Sequence, residues 1–329
     1  RGAQYAPEAK TQAGIQLQRP FMQRRYRIGT RGSRLALIQA NEVARRIAQA
    51  AGRPVEEATE IVVISTAGDR VQDRALSEIG GKGLFTEEIE EQLLDGRIDV
   101  AVHSMKDMPT VLPDGLVIDC LLEREDPRDA FLSPRAPSLA ALAQGATVGT
   151  SSLRRAAQLR ARRPDLNVVP FRGNVDTRLK KLADGVADAT FLAMAGLNRM
   201  GLADHVTAPI PPEEMLPAVA QGAIGIERRV RDDEMAGILS TIHHTETGLR
   251  VSAERALLAV LDGSCRTPIA ALAEITGERM RLRGMVLTPD GSQVIETERE
   301  GLASEAARLG ADAGEELKSR AGPHFFSGV

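Results

Sequence analysis

Two short segments carry hydroxyls and arginines where a helix should begin. In Thr150-Ser151-Ser152-Leu153-Arg154-Arg155 a strand-like run ends in hydroxyls just before a helical stretch. A helix start offers unbonded backbone N–H groups and the positive end of the macrodipole, which together make an anion site. Arginine in that first turn opposes the dipole by a few tenths to about 1 kcal/mol, so two of them point to an external anion. The arrangement recurs at Thr30-Arg31-Gly32-Ser33-Arg34. Two such helix starts facing one cleft would hold a ligand with several anionic groups. Lys82, in Gly80-Gly81-Lys82-Gly83, and Arg172, in Phe171-Arg172-Gly173-Asn174, precede helices in matching places, and Arg178 lies one turn into its own.

Guanidinium forks suit carboxylates and phosphates equally in geometry, so the choice has to come from elsewhere. The Gly-Gly-Lys-Gly piece lacks the spacing of a nucleotide P-loop. His103 stands isolated from other ligand types and His243-His244 has no partner at zinc spacing. No metal is therefore expected, and magnesium-assisted phosphoryl transfer loses ground.

A second constellation, Val102-His103-Ser104-Met105-Lys106-Asp107-Met108-Pro109, follows a strand, and ligands bind at strand carboxyl ends in α/β sheets. An Asp beside a Lys is ordinarily a surface pair. Pro109, however, forces an extended backbone at Met108, and an aspartate fixed in a cationic cleft can stabilise a developing positive charge or shuttle a proton. Of the two cysteines, Cys120 sits in an apolar run and reads as an inert core residue. Cys265 lies in Gly263-Ser264-Cys265-Arg266, where the arginine favours thiolate, so it is the reactive candidate.

The elements that must position these groups are those of an α/β protein. From Tyr26 onward short strand-like runs alternate with helical stretches. Strands are expected over 99–103, 116–121, 146–149, 167–170 and 187–193, with helices over 35–51, 86–94, 152–162 and 177–183. A weak internal repeat relates two halves, each with a strand end, hydroxyls and arginines, a helix, a basic-Gly step and a second helix. This predicts one lobe over 24–122, a second over 128–216, crossings near 123–127 and 217–222, and a return of 223–240 to the first lobe. Residues 245–329 read as a small α+β domain with an antiparallel three-stranded sheet and closing helix, and residues 1–23 as a mobile N-terminal extension.

Bulk properties narrow the class. A net charge of −3 and 3 % aromatics argue against nucleic-acid binding, and no apolar run approaches a membrane span. Two cysteines far apart in sequence fit a reducing compartment, hence a cytoplasmic protein.

The motifs occur in a distinctive order: Gly80-Gly81-Lys82-Gly83-Leu84-Phe85, Ala101-Val102-His103-Ser104-Met105-Lys106-Asp107, Glu123-Arg124-Glu125-Asp126-Pro127-Arg128-Asp129, Gly149-Thr150-Ser151-Ser152-Leu153-Arg154-Arg155, Arg172-Gly173-Asn174-Val175 and the Cys265 loop. In this order they closely resemble the porphobilinogen deaminase family, from about Tyr26 to at least Gly301. The resemblance implies two lobes like type II periplasmic binding proteins plus a third domain. It also implies a transferase that condenses four porphobilinogen molecules head to tail, with loss of ammonia, and releases the linear tetrapyrrole hydroxymethylbilane. A dipyrromethane cofactor would be held by a thioether at Cys265. Every pyrrole carries an acetate and a propionate, which accounts for paired arginine sites.

By that similarity, Arg31, Ser33, Lys82, Ser104, Lys106, Thr150, Ser152, Arg154, Arg155, Arg172, Gly173, Arg178 and Arg199 bind cofactor and substrate. Phe85 borders the site, and Asp107 faces the pyrrole N–H groups as the catalytic residue. The partners implied are porphobilinogen and the growing polypyrrole, with no nucleic acid and no membrane, and the chain is expected to be a monomer. Three positions depart from the family pattern: Ser264, Asp176 and Ala220 each stand where glycine is expected. The competing classes are a non-catalytic two-lobed solute binder, which gives no reason for the Cys265 loop, and a DNA-binding regulator, for which no helix-turn-helix precedes Tyr26.

Overall fold

The computed structural model describes residues 24–70, 86–261, 268–322 and 325. Along the chain come β1 (Tyr26–Thr30), α1 (Arg34–Ala50), α2 (Val55–Ala58), β2 (Thr59–Val63), α3 (Ala67–Arg70), α4 (Glu87–Leu94), β3 (Val100–Ser104) and β4 (Leu116–Leu121). A 3-10 turn, Met105–Asp107, follows β3 directly. Next are β5 (Asp129–Leu132), β6 (Thr147–Gly149), α5 (Leu153–Arg162), β7 (Asn167–Val169), α6 (Val175–Ala183), β8 (Ala189–Ala193), α7 (Met194–Arg199) and β9 (Ala208–Pro209). The chain continues with β10 (Ile224–Arg229), α8 (Asp233–Ile242), α9 (Thr245–Val260), β11 (Ile269–Thr276), β12 (Arg279–Leu287), β13 (Val294–Leu302) and α10 (Ala306–Ala321).

Two five-stranded sheets share one wiring. The first runs β2-β1-β3-β10-β4 and the second β7-β6-β8-β5-β9. In the first, β1 lies parallel to β2 and β3, while β10 is antiparallel to β3 and β4. In the second, β6 lies parallel to β7 and β8, while β5 is antiparallel to β8 and β9. Each sheet thus has one antiparallel strand inserted after a chain crossing: β5 just after the first, β10 just after the second. This mixed α/β pattern, followed by the antiparallel sheet β11-β12-β13, is the fold class expected from the repeat. The sequence pattern predicts no strand at β5 and no helix at α7 or α8. β5 is buried on both faces and only four residues long, so it shows no period-two alternation.

Local sequence explains how individual helices start and pack. In α1, Ala40, Val43, Ala44 and Ile47 recur at helical spacing and are all buried, and Ser33 caps the start by accepting from the Ala36 N–H at 3.2 Å. In the C-terminal unit, α9 and α10 approach closely because α10 presents Gly310 and Gly314. A Cβ at Gly310 would lie 2.1 Å from the Ala253 carbonyl oxygen, and one at Gly314 2.9 Å from that of Leu257.

One buried ion pair joins the crossings to the C-terminal unit. Glu254 on α9 is fully buried and meets Arg124 in a fork, Nη1 to Oε1 at 2.7 Å and Nη2 to Oε2 at 3.1 Å. Its oxygens also accept from the backbone N–H groups of Ala220 at 2.6 Å and Ala273 at 2.8 Å, and Arg124 Nε donates to the Gln221 carbonyl at 2.9 Å. Residues of both crossings and of β11 therefore converge on one carboxylate. Ala220 takes a φ of 58°, the left-handed region that favours glycine. Among the described residues, no helix is long and apolar enough to cross a membrane.

Candidate active site

The Thr150–Arg155 segment folds as expected, a strand end leading into a capped helix. Thr150 Oγ1 accepts from the Ser152 N–H at 3.2 Å, and Ser152 Oγ from the Arg155 N–H at 3.4 Å. Both hydroxyls are thus engaged in shaping the start of α5. Arg154 and Arg155 are nearly fully buried, and the anion that their charges call for is in part internal. Asp129, the first residue of β5 and wholly buried, supplies that part. Arg155 donates to its Oδ1 through Nε at 3.1 Å and Nη2 at 2.7 Å, and Arg154 Nη1 lies 2.8 Å from Oδ2. Gln221 Nε2 reaches the same Oδ1 at 3.0 Å.

Burial alone would raise the Asp129 carboxyl, but the two guanidiniums outweigh it and hold the group well below the usual carboxylate range. One carboxylate against two guanidiniums leaves one positive charge in excess. That excess is felt by Lys106, whose ammonium is pushed down first by burial and further by Arg155 and Arg154, with Asp107 and Asp129 opposing. Lys106 makes no hydrogen bond or ion pair among the described residues. The 3-10 turn presents Lys106 half-buried and Asp107 exposed at the carboxyl end of β3. Ser104, the last residue of β3, exchanges hydrogen bonds with the Gln39 amide at 3.0 and 3.2 Å and ties the strand to α1.

Arg172 precedes α6 and has a buried Nη1 with no partner among the described residues. Arg178 donates from Nε to the Gly173 carbonyl at 2.9 Å. Burial, then Arg155 and Arg172, push its guanidinium down to about 10, with Asp107 opposing. Arg155, Arg172, Arg178, Lys106 and Asp107 therefore share one electrostatic neighbourhood. Gly173 has a φ of +123°, and a Cβ there would lie 2.6 Å from Thr177 Cγ2, so glycine is required where the chain enters α6.

The remaining expected residues are more dispersed. Arg31 is half-buried just after β1, and Ser33 caps α1. Arg199 donates from Nη2 to the Gly222 carbonyl at 2.8 Å, tying α7 to the second crossing. Asp176 pairs with Arg34 Nη1 at 3.2 Å across the two sheets' units, and Arg34 Nη2 donates to the Met200 carbonyl at 3.2 Å. Lys82, Phe85 and Cys265 lie outside the described residues. Cys120 is buried, and desolvation followed by Asp119 pushes its thiol up to about 12, which makes it a poor nucleophile.

Sequence reasoning missed Asp129, Gln221 and the setting of His103. His103 is not isolated: its Nε2 lies 2.9 Å from Oε2 of buried Glu227. The signal for Asp129 was present in the Pro127-Arg128-Asp129 stretch, but nothing local distinguishes it from a surface acid. Among the described residues no group of three or more His, Cys, Asp or Glu side chains could hold a metal ion.

Two family models match this chain: "Porphobilinogen deaminase, dipyromethane cofactor binding domain" over residues 26–237 and "Porphobilinogen deaminase, C-terminal domain" over residues 248–319. A porphobilinogen deaminase of Paracoccus denitrificans is 61 % identical over 309 residues, covering 94 % of this chain and 98 % of that one. One of Nitrobacter hamburgensis is 56 % identical over 300 residues, covering 91 % and 95 %. Among solved structures, a periplasmic substrate-binding protein from Coxiella burnetii overlaps 66 % of this chain and 90 % of its own, at 13 % identity and a TM-score of 0.40. With both family models spanning the sheets and the C-terminal unit, and relatives this similar over nearly the whole length, the chain belongs to the porphobilinogen deaminase family.

Proposed function

We propose that this chain condenses porphobilinogen into the linear tetrapyrrole with Asp107 as its catalytic carboxylate and Cys265 as the attachment point of the dipyrromethane. The observation that carries the assignment of Asp107 is its setting. An exposed carboxylate adjoins Lys106, which lacks an ion pair among the described residues, and acts on Arg178 together with Arg172, whose buried Nη1 has no partner among the described residues. A buried guanidinium nitrogen without an acceptor is costly, and a ligand carboxylate would satisfy it. The donor set therefore fits a dipyrromethane, a pyrrole pair bearing acetates and propionates.

When bound, the dipyrromethane supplies the nucleophilic pyrrole carbon on which the product grows. Lys106, Arg172 and Arg178, with Arg31, Lys82 and Arg199, hold acetate and propionate side chains. Arg154 and Arg155 are kept in place by Asp129 and contribute one uncompensated positive charge behind them. Ser33, Thr150 and Ser152 form the two helix starts, and Gly173 admits the chain turn before α6. Ser104 orients the end of β3, and Phe85 borders the cavity. Asp107 accepts hydrogen bonds from pyrrole N–H groups and stabilises the positive charge that develops on the substrate as ammonia leaves. In this reading the chain works as a monomer in the cytoplasm, where a reducing milieu keeps Cys265 a thiol until attachment.

The test is consumption of porphobilinogen and release of ammonia by the purified protein, set against Asp107→Ala. Loss of most turnover with an unchanged fold and cofactor content is expected. Near-normal turnover would remove Asp107 from the mechanism.

A further inference from the structure

A cavity of about 500 Å³ lies behind the catalytic turn, between β4 and α9. Its apolar wall includes Met105, Leu121 and Val251. Met105 is the first residue of the turn that presents Lys106 and Asp107, and its side chain is buried in the core shared with α9 and β11. The cavity therefore abuts the catalytic turn through Met105.

The polar groups on this wall are mostly donors. Arg255 has no carboxylate partner among the described residues. It donates only to the carbonyls of Met108 at 3.2 Å and Pro109 at 2.6 Å, the two residues that follow Asp107. Burial pushes its guanidinium down from the ordinary value, and no anion among the described residues offsets this. His243 Nδ1 accepts the Leu121 N–H at 3.1 Å, so a neutral ring carries its proton on Nε2, which has no hydrogen-bond partner among the described residues. Ser252 adds an exposed hydroxyl. The acid on the wall, Asp119, is paired with Arg228.

We propose that this cavity is a second ligand site, taking a small amphiphile with an apolar ring and one anionic group, and that its occupancy alters turnover through Arg255 and the Met105–Pro109 segment. The volume suits such a ligand. An anion drawn to Arg255 competes with the Met108 and Pro109 carbonyls for the same donors, and so shifts the backbone that holds Asp107. Binding itself is independent of the role given to Asp107, whereas the effect on turnover rests on it.

The experiment titrates the holoenzyme with 1-anilinonaphthalene-8-sulfonate, an aromatic sulfonate, followed by its fluorescence, and measures porphobilinogen turnover at each concentration. One site per chain is expected, with kcat changed and KM unmoved. Arg255→Leu should weaken binding at least tenfold. Ser252→Phe, which fills the mouth of the cavity from an exposed position, should do the same while leaving turnover without the sulfonate unchanged. Unchanged affinity in Ser252→Phe, or a rise in KM with kcat untouched, would overturn the proposal; the second result would place the sulfonate in the substrate cleft.

Discussion

Asp129 changes the meaning of the two arginines that first drew notice. Their type and spacing were legible in the sequence, and so was the capped helix that carries them. Their partner was not, because it lies 26 residues before Arg155 and meets it only through the pairing of β5 with β8. Asp129→Asn should be severely destabilising, since it leaves two buried guanidiniums facing a neutral group; about 3–5 kcal/mol is the usual loss when one partner of a buried pair is removed. Chemical denaturation would measure it. The pH dependence follows from the sign of the shift. A carboxyl depressed in the folded state contributes stability that is full above the unfolded value of about 3.9 and is lost as pH falls toward the folded one. The native chain should therefore lose stability on acidification below about pH 4. Asp129→Asn should lack that component. Arg172→Gln, by contrast, removes a donor that has an unpartnered nitrogen, so it should raise KM for porphobilinogen while changing the melting temperature little.

At the scale of elements, the helices and parallel strands were readable because caps, basic-Gly steps and apolar spacing repeat in both halves. The antiparallel inserted strands were harder. β5 is a four-residue buried run, and β10 joins its sheet only after the chain has built the whole second unit, so neither announces its place locally. The crossings next to them meet at Glu254, a residue that reads as an ordinary helical acid in sequence. Ala220 beside it holds a left-handed φ of 58°. Ala220→Gly should raise stability by about 1 kcal/mol, because a Cβ in that conformation costs roughly 1–2 kcal/mol and part of this is offset by the greater unfolded-state entropy of glycine. A decrease in melting temperature would contradict this reading of the crossing.

For the whole molecule, the two sheets share wiring rather than sequence, and the few residues that repeat visibly are those at helix starts. Contact between the two units includes the exposed pair Arg34–Asp176, at about half exposure on both sides. Such a pair contributes roughly 0–1 kcal/mol and is screened by salt. Asp176→Gly should leave global stability within about 1 kcal/mol of the parent and act instead on how the lobes sit together, which small-angle scattering at low and high salt would register as a change confined to the parent.

In the function proposed above, a dipyrromethane is anchored at Cys265 and bound beside Asp107 by the surrounding basic residues. The most direct test of this is the intact mass of the purified, active enzyme, followed by fragmentation of the peptide that contains Cys265. One added dipyrromethane per chain is expected, located on Cys265, with Cys120 unmodified. An active protein whose mass equals that of its polypeptide, or whose adduct maps to Cys120, would contradict it.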